Sequence, residues 1–277
     1  MRSDVYAPEL VIDLHCHILW GLDDGPVDLA TSLELARTAA ATGTRTIVAT
    51  PHIREDYPFD PAVIAGRVAE LNAALRTAGV GVEVVAGGEV AVSMLADLDE
   101  AALRTVALAG TDYLLVESPY AHASDLLESN LFDVQVRGFR VILAHPERSP
   151  CFQSDGDRLA QLVERQVGCS ITAASLLGVF GRTVRRVSIG LLRDGLVHNV
   201  ASDAHGPAKR TPDLMAGLRA VERELPNVRE WRGWFTQDAP GVILAGAPLP
   251  EPPQLTPGGL GGFFRRRRDS RPPRGSG

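Results

Sequence analysis

Short β-branched runs alternate with longer segments of helical periodicity along most of this 277-residue chain, and no other feature restricts its fold as strongly. Strands are predicted at Val11–His17, Arg45–Thr50, Val82–Val90, Tyr113–Glu117, Arg140–Ala144, Cys169–Ala173 and His198–Ser202. Helices are predicted between and after them, at Asp28–Thr42, Ala62–Ala78, Leu95–Leu108 and about 125–137, 157–167, 180–194 and 212–225. Seven βα units without a long polar linker require parallel strands with helical crossovers. The fold class is therefore α/β, as an open doubly wound sheet or a closed barrel.

No run approaches the roughly 18 uninterrupted apolar residues that a membrane span needs, and the first ten residues contain no apolar leader segment. No integral membrane segment is expected, and the expected location is the cytoplasm. Cys16, Cys151 and Cys169 are scattered, with no CxxC spacing, so they make neither a disulfide framework nor a thiolate metal site. Net charge is −6; residues 251–277 contribute +4, which leaves −10 on residues 1–250. An acidic body argues against nucleic acid as its partner. Residues 1–247 read as one catalytic domain. From Pro248 the chain turns Pro- and Gly-rich and then Arg-rich, ending FFRRRRDSRPPRGSG, so 248–277 is expected to be a disordered tail.

The chemistry lies in where histidines and carboxylates fall. His15 and His17 close the first predicted strand; positions i and i+2 share a face, so both imidazoles aim at one point. His52 follows the second strand, Glu89 and Glu117 close the third and fourth, His145 follows the fifth, and Asp203 and His205 follow the seventh. Carboxyl ends of parallel strands converge on one face, where barrel enzymes place their chemistry. A lone HxH or DxH carries little information, but an ordered set in which each member closes a strand does. Imidazole and carboxylate together suit zinc, iron(II) or manganese, and bridging carboxylates permit more than one ion.

The run DLHCHILWGLDDGP, followed by TPH, GGEV, VESP, AHPER and SDAHGPAKRTP, resembles the polymerase-and-histidinol-phosphatase (PHP) superfamily over about residues 11–245. Within it the chain is most similar to the bacterial capsule and exopolysaccharide protein-tyrosine phosphatases, chiefly through DDGP after the HxH pair. This resemblance implies a distorted seven-stranded (βα)7 TIM-like barrel. It also implies two to three divalent ions, manganese foremost, with iron, zinc or cobalt as alternatives. The implied substrate is phosphotyrosine on a partner autophosphorylating tyrosine kinase, with metal-bound hydroxide as nucleophile. Carried onto this chain, the family pattern assigns His15, His17, Glu89 and Asp203 to one ion. It assigns Glu89, Glu117 and His145 to a second, and Asp24, His52 and His205 to a third. Asp23 is the rival to Asp24. Ile53 stands where the family often has a second histidine after TPH.

Arg148 and Arg210 match arginines that the family places near the phosphate, and guanidinium forks suit bidentate pairing with phosphate oxygens. Asp13 is a candidate to orient a ligand imidazole, and His198, at the opposite strand end, to be structural; His122 lies in the loop after the fourth strand. A cysteine-phosphatase loop needs Arg six residues after Cys. Leu22, Asp157 and Ser175 occupy those positions, so a thiol mechanism is excluded. The alternatives are a small-molecule phosphomonoesterase such as a histidinol-phosphate phosphatase, a phosphodiesterase of the same superfamily, or a binding module with a degenerate site. Oligomeric state is not encoded in any pattern of the sequence.

Overall fold

The computed structural model describes residues 10–120, 126–207 and 210–258. Nine strands run through it: β1 (Val11–Cys16), β2 (Thr44–Ala49), β3 (His52–Ile53), β4 (Glu83–Ala86), β5 (Glu89–Ala91), β6 (Tyr113–Glu117), β7 (Arg140–Ala144), β8 (Gly168–Thr172) and β9 (Asn199–Ala201). Every pairing between them is parallel. Helices follow the strands as the βα rhythm requires; Asp28, for example, caps the helix Leu29–Ala41 by accepting from Thr31 N.

The strands form two parallel sheets, ordered β1-β2-β4 and β3-β5-β6-β7-β8-β9, where seven strands were expected. The physical cause is local. The predicted strand Val82–Val90 is split at Gly87–Gly88, and at the predicted end of the second strand the chain breaks at Thr50–Pro51 and resumes as the short β3; the two breaks lie side by side. Ala49 pairs with Ala86 before the breaks and His52 with Glu89 after them. Pro51 has no N–H to offer a ladder, while its carbonyl accepts from Glu89 N at 3.0 Å. Gly87 and Gly88 are demanded by crowding: a Cβ on Gly87 would stand 2.8 Å from Val48 Cγ1, and one on Gly88 3.0 Å from Val106 Cβ. The chain kinks there and passes from one sheet to the other.

The first and last strands meet along a narrow seam. One bridge joins Cys16 to Ala204, with Asp203 N donating to His15 O at 2.8 Å and His17 N to Ala204 O at 2.9 Å. Asp13 reinforces the seam by accepting from Ser202 N at 3.0 Å.

Strand β6 is buried along its whole length, as a parallel strand covered on both faces should be. Leu114 and Val116 enter the main core under the helices. Tyr113 and Leu115 enter a smaller cluster with Leu14, Val48, Ile142 and Ile243. Ile243 comes from the helix Ala239–Leu244, part of a helical run from Val228 that the periodicity did not reveal. Tyr113 Oη donates to Ala247 O at 2.6 Å beside it.

Residues 248–258, placed by their composition in the disordered tail, are packed against the body. Leu255 is buried, Thr256 N donates to Asn227 Oδ1, and Gly258 N donates to Glu224 O. Composition missed this because two apolar side chains, Leu249 and Leu255, and two backbone donors suffice to anchor such a strap. The remainder of the tail, with Phe263, Phe264 and the arginine cluster, lies outside the described residues, as does His122.

Candidate metal centre

All nine side chains expected to hold metal gather at the carboxyl ends of the strands. His15 and His17 are buried, with their Nε2 atoms 3.1 Å apart. Each Nε2 lies 3.3 Å from Glu89 Oε2 and 3.4 Å from Asp203 Oδ1. A tetrahedron of donors at roughly 2.05 Å from one ion has edges of about 3.3 Å, and the separations of the two imidazole nitrogens from each other and from each carboxylate oxygen lie close to that spacing. Without such a cation, two imidazole nitrogens face each other and Glu89 Oε2 is buried without a hydrogen bond. The donor set fits a metal.

Glu89 is the hub. Its Oε1 is 2.8 Å from His145 Nε2, and its Oε2 is 3.0 Å from His52 Nδ1. His52, Glu89 and Glu117 offer donor atoms within 4.8 Å of one another, as do His15, His145 and Asp203. Glu117 and His145 thus both border Glu89 but fall in different triplets, whereas the sequence grouped them. The remaining cluster is His17, Asp24, His52 and His205, the expected third set with His17 added.

The DDGP turn separates its two aspartates by role. Asp23 Oδ2 accepts from His17 Nδ1 at 2.7 Å and from His52 N at 3.0 Å, while Oδ1 accepts from Gly25 N. It fixes the tautomer and tilt of one imidazole and the backbone beneath another. Asp24 instead faces the cluster, 3.2 Å from His205 Nε2 and 3.6 Å from His52 Nε2. Gly25 is needed because a Cβ there would meet the His17 carbonyl at 2.5 Å.

Two of the clustered residues stand in left-handed backbone: His145 at φ 37° and Asp203 at φ 50°. Such conformations cost on the order of 1–3 kcal/mol each for non-glycine residues and persist where surrounding contacts fix them. Behind His145, buried Glu147 accepts from Thr172 N, Thr172 Oγ1 and Ser175 Oγ, which locks the turn Pro146–Arg148 to the next strand.

The expected phosphate arginines converge on one atom. Arg148 Nη1 and Arg210 Nη1 donate to Asp203 Oδ2 at 2.6 and 2.9 Å. Arg148 Nη2 also donates to Tyr120 Oη at 2.7 Å, and its buried Nε–H has no acceptor. Burial alone would raise the Asp203 carboxyl, but His15, His17 and Arg148 outweigh it and hold it well below the usual range. Burial pushes Glu117 up to about 7, helped by the Glu89 carboxylate and opposed by His52 and Arg54. Arg54, which the sequence reading passed over, donates from Nη1 to both Glu117 oxygens at 3.2 Å. Tyr120 was also missed. Neither has a spacing that marks it, since both take their role from what stands opposite. All three cysteines are buried, and burial raises Cys16 and Cys169 well above the ordinary thiol range, which suits no thiolate nucleophile.

A parallel α/β fold that brings five imidazoles and four carboxylates to one cluster, buried except at Asp24 and the rim, belongs with the α/β metalloenzymes. Comparison with known proteins gives the particular lineage. The profile of the family described as "Capsular polysaccharide synthesis, CpsB/CapC" matches residues 11–234, and the chain belongs to that family. Tyrosine-protein phosphatase YwqE of Bacillus subtilis (strain 168) is 34% identical over 245 residues, covering 88% of this chain and 96% of YwqE. Tyrosine-protein phosphatase CpsB of Streptococcus agalactiae is 27% identical, covering 84% of this chain and 98% of its own. A crystal structure from work on YwqE and on CpsB of Streptococcus pneumoniae, described as "unique metal-dependent tyrosine phosphatases", superposes with a TM-score of 0.79. That match has 32% identity and covers 88% of this chain and 99% of the other. The resemblance to the capsule-phosphatase family, carried by DDGP and the histidines and carboxylates at the strand ends, is borne out. A β-aspartyl dipeptidase from Fervidobacterium islandicum, at 13% identity and a TM-score of 0.52, shares the fold alone.

Proposed function

We propose that this chain is a metal-dependent protein-tyrosine phosphatase. Its proposed substrate is phosphotyrosine on a tyrosine kinase of capsule or exopolysaccharide synthesis. The observation that carries this reading is the shell of His15, His17, Glu89 and Asp203 under two arginines, in a family whose named members are tyrosine-protein phosphatases. His15, His17, Glu89 and Asp203 are the proposed ligands of one ion. His52, Glu117 and His145 border Glu89 for a second, and Asp24, His52 and His205 form a third position next to His17. Two to three divalent ions are proposed, manganese foremost. We read the two sheets as a seven-unit βα barrel distorted at the paired breaks.

When bound, divalent ions bring water toward neutral pKa and neutralise charge on phosphoryl oxygens. The chain's own residues do the rest. Arg148 and Arg210 present guanidinium donors beside the cluster, and the Arg148 Nε–H is a donor awaiting a phosphate oxygen. Asp203 holds both arginines on the ligand side, so the phosphate is gripped where the cluster can meet it. Asp23 keeps the His17 imidazole aimed through its Nδ1, whereas Asp13 accepts from the backbone N of His15 and of Ser202 and so holds the strand beneath the ring. A tyrosine leaving group, with pKa about 10, departs with less protonation than an alkyl alcohol requires.

Turnover of a phosphotyrosine peptide and of histidinol phosphate by metal-loaded protein tests the reading. The expected outcome is preference for the peptide, loss on chelation and recovery with manganese, iron, cobalt or zinc. Preference for histidinol phosphate, or full activity after exhaustive chelation, overturns it.

A further inference from the structure

Beside the imidazoles the site opens into a cavity of about 380 Å³ lined by Tyr120, Arg148, Phe180, Val184 and Arg210. Two of its walls are aromatic, and Arg148 ties them together. Its guanidinium carbon lies 4.8 Å from the Phe180 ring centroid and 5.9 Å from that of Tyr120. Phe180 is absent from both apolar cores and is only half-buried, so its ring is spent on the cavity and not on packing the fold. Its place is set by the backbone: Gly178 and Gly181 on either side have φ of +81° and +92°, conformations that L side chains rarely adopt. The turn they make leads from the helix Ala173–Leu176 into the helix Arg182–Arg193, which supplies Val184.

We infer that this cavity is the leaving-group subsite, with Phe180 and Tyr120 as specificity-determining residues for an aryl phosphomonoester. The inference rests on the phosphatase reading above. A phosphate gripped by Arg148 and Arg210 must send its ester substituent along the same two side chains, because they line both places. A phenyl ring there meets aromatic walls that favour offset or edge contacts with it. A seryl phosphate has no ring to fill the cavity and would draw polar backbone toward apolar walls, where its N–H and C=O groups lose water without finding partners. Arg148 links the two ends: it faces the phosphate with its free Nε–H and stacks on Phe180 with its flat side.

The test compares wild type with Phe180→Ala, Phe180→Leu and Phe180→Tyr in metal-loaded protein. Binding of phenylphosphonate and methylphosphonate is measured by calorimetry, and kcat/KM on phenyl phosphate and a phosphoserine peptide. The phenyl-to-methyl affinity ratio and the aryl-to-seryl kcat/KM ratio are each expected to fall roughly tenfold in Phe180→Ala and Phe180→Leu and to be restored in Phe180→Tyr, on the scale of one aromatic contact and its buried area. Ratios unchanged in both the Ala and Leu variants overturn the subsite. If wild type fails to hydrolyse phenyl phosphate with any metal, the phosphatase reading fails instead, and the phosphonate ratio still decides whether the cavity selects rings.

Discussion

Glu89 touches the histidines of three strands at once, so its carboxylate is the side chain whose loss the cluster tolerates least. Glu89→Ala is expected to release at least one metal equivalent, by elemental analysis, and to cut turnover by more than the 10- to 100-fold typical of an orienting partner. Near-normal metal content would remove Glu89 from the centre. Arg148 calls for the opposite result: Arg148→Ala is expected to keep the metal count while kcat/KM falls about 10- to 150-fold, the worth of one charge-assisted hydrogen bond. Lys at that position should rescue only in part, because it cannot reach Asp203, Tyr120 and a phosphate as one planar fork. His198, at the far end of the molecule, is a matter of stability. Burial lowers it to about 4, and its Nδ1 accepts from Cys169 N at 3.1 Å. Between about 6.5 and 4 the unfolded chain binds the proton that the folded chain refuses, so this contribution is complete above 6.5 and is lost as pH falls toward 4. Its size is at most about 3 kcal/mol. Denaturant titrations across that range, with His198→Asn as the comparison, should show a shallower acid slope in the variant.

At the scale of elements, the strands that carry the proposed ligands were legible apart from the two-residue β3 at His52, because β-branched runs and strand-end polar residues are local signals. The second strand was ended at Thr50 without its resumption at His52, and the break at Gly87–Gly88 was not read although paired Gly is present. Only when the two strands are laid side by side does it emerge that each break answers the other. The helical run Val228–Leu244 escaped for another reason: it includes a π turn at Trp234–Asp238, which blurs a 3.6-residue period. The division of labour in DDGP was likewise beyond spacing, since which aspartate faces inward depends on the path of the turn. The kink itself is testable. Gly87→Ala puts a methyl group against Val48 and Leu108 two residues before Glu89. It is expected to cost about 1–3 kcal/mol of stability by overpacking. Metal content should fall with it, because β5 carries Glu89; unchanged melting and metal content would show that the break relaxes freely.

Across the whole molecule the acidic body, the helical crossovers and the site at one end all follow from the sequence, while the seam between β1 and β9 does not. That seam rests on one bridge and a few hydrogen bonds, and the cluster straddles it: His15 and His17 stand on one side, Asp203 and His205 on the other. A belt fastened by a thin buckle opens at the buckle. An ion held by the proposed ligands His15, His17 and Asp203 would therefore also clasp the amino-terminal strand to the last one, so that turnover and mechanical integrity would share the same bonds. Binding at about 100 times Kd adds near 2.7 kcal/mol, roughly 5–10 °C of melting temperature for a chain of this size. In stripped protein, amide exchange should quicken first along Val11–Cys16 and Asn199–Ala201, while β6 and β7 stay protected. An organism starved of the metal would then hold not a resting phosphatase but an unlatched one, exposed to proteases at the strand where its catalytic motif begins.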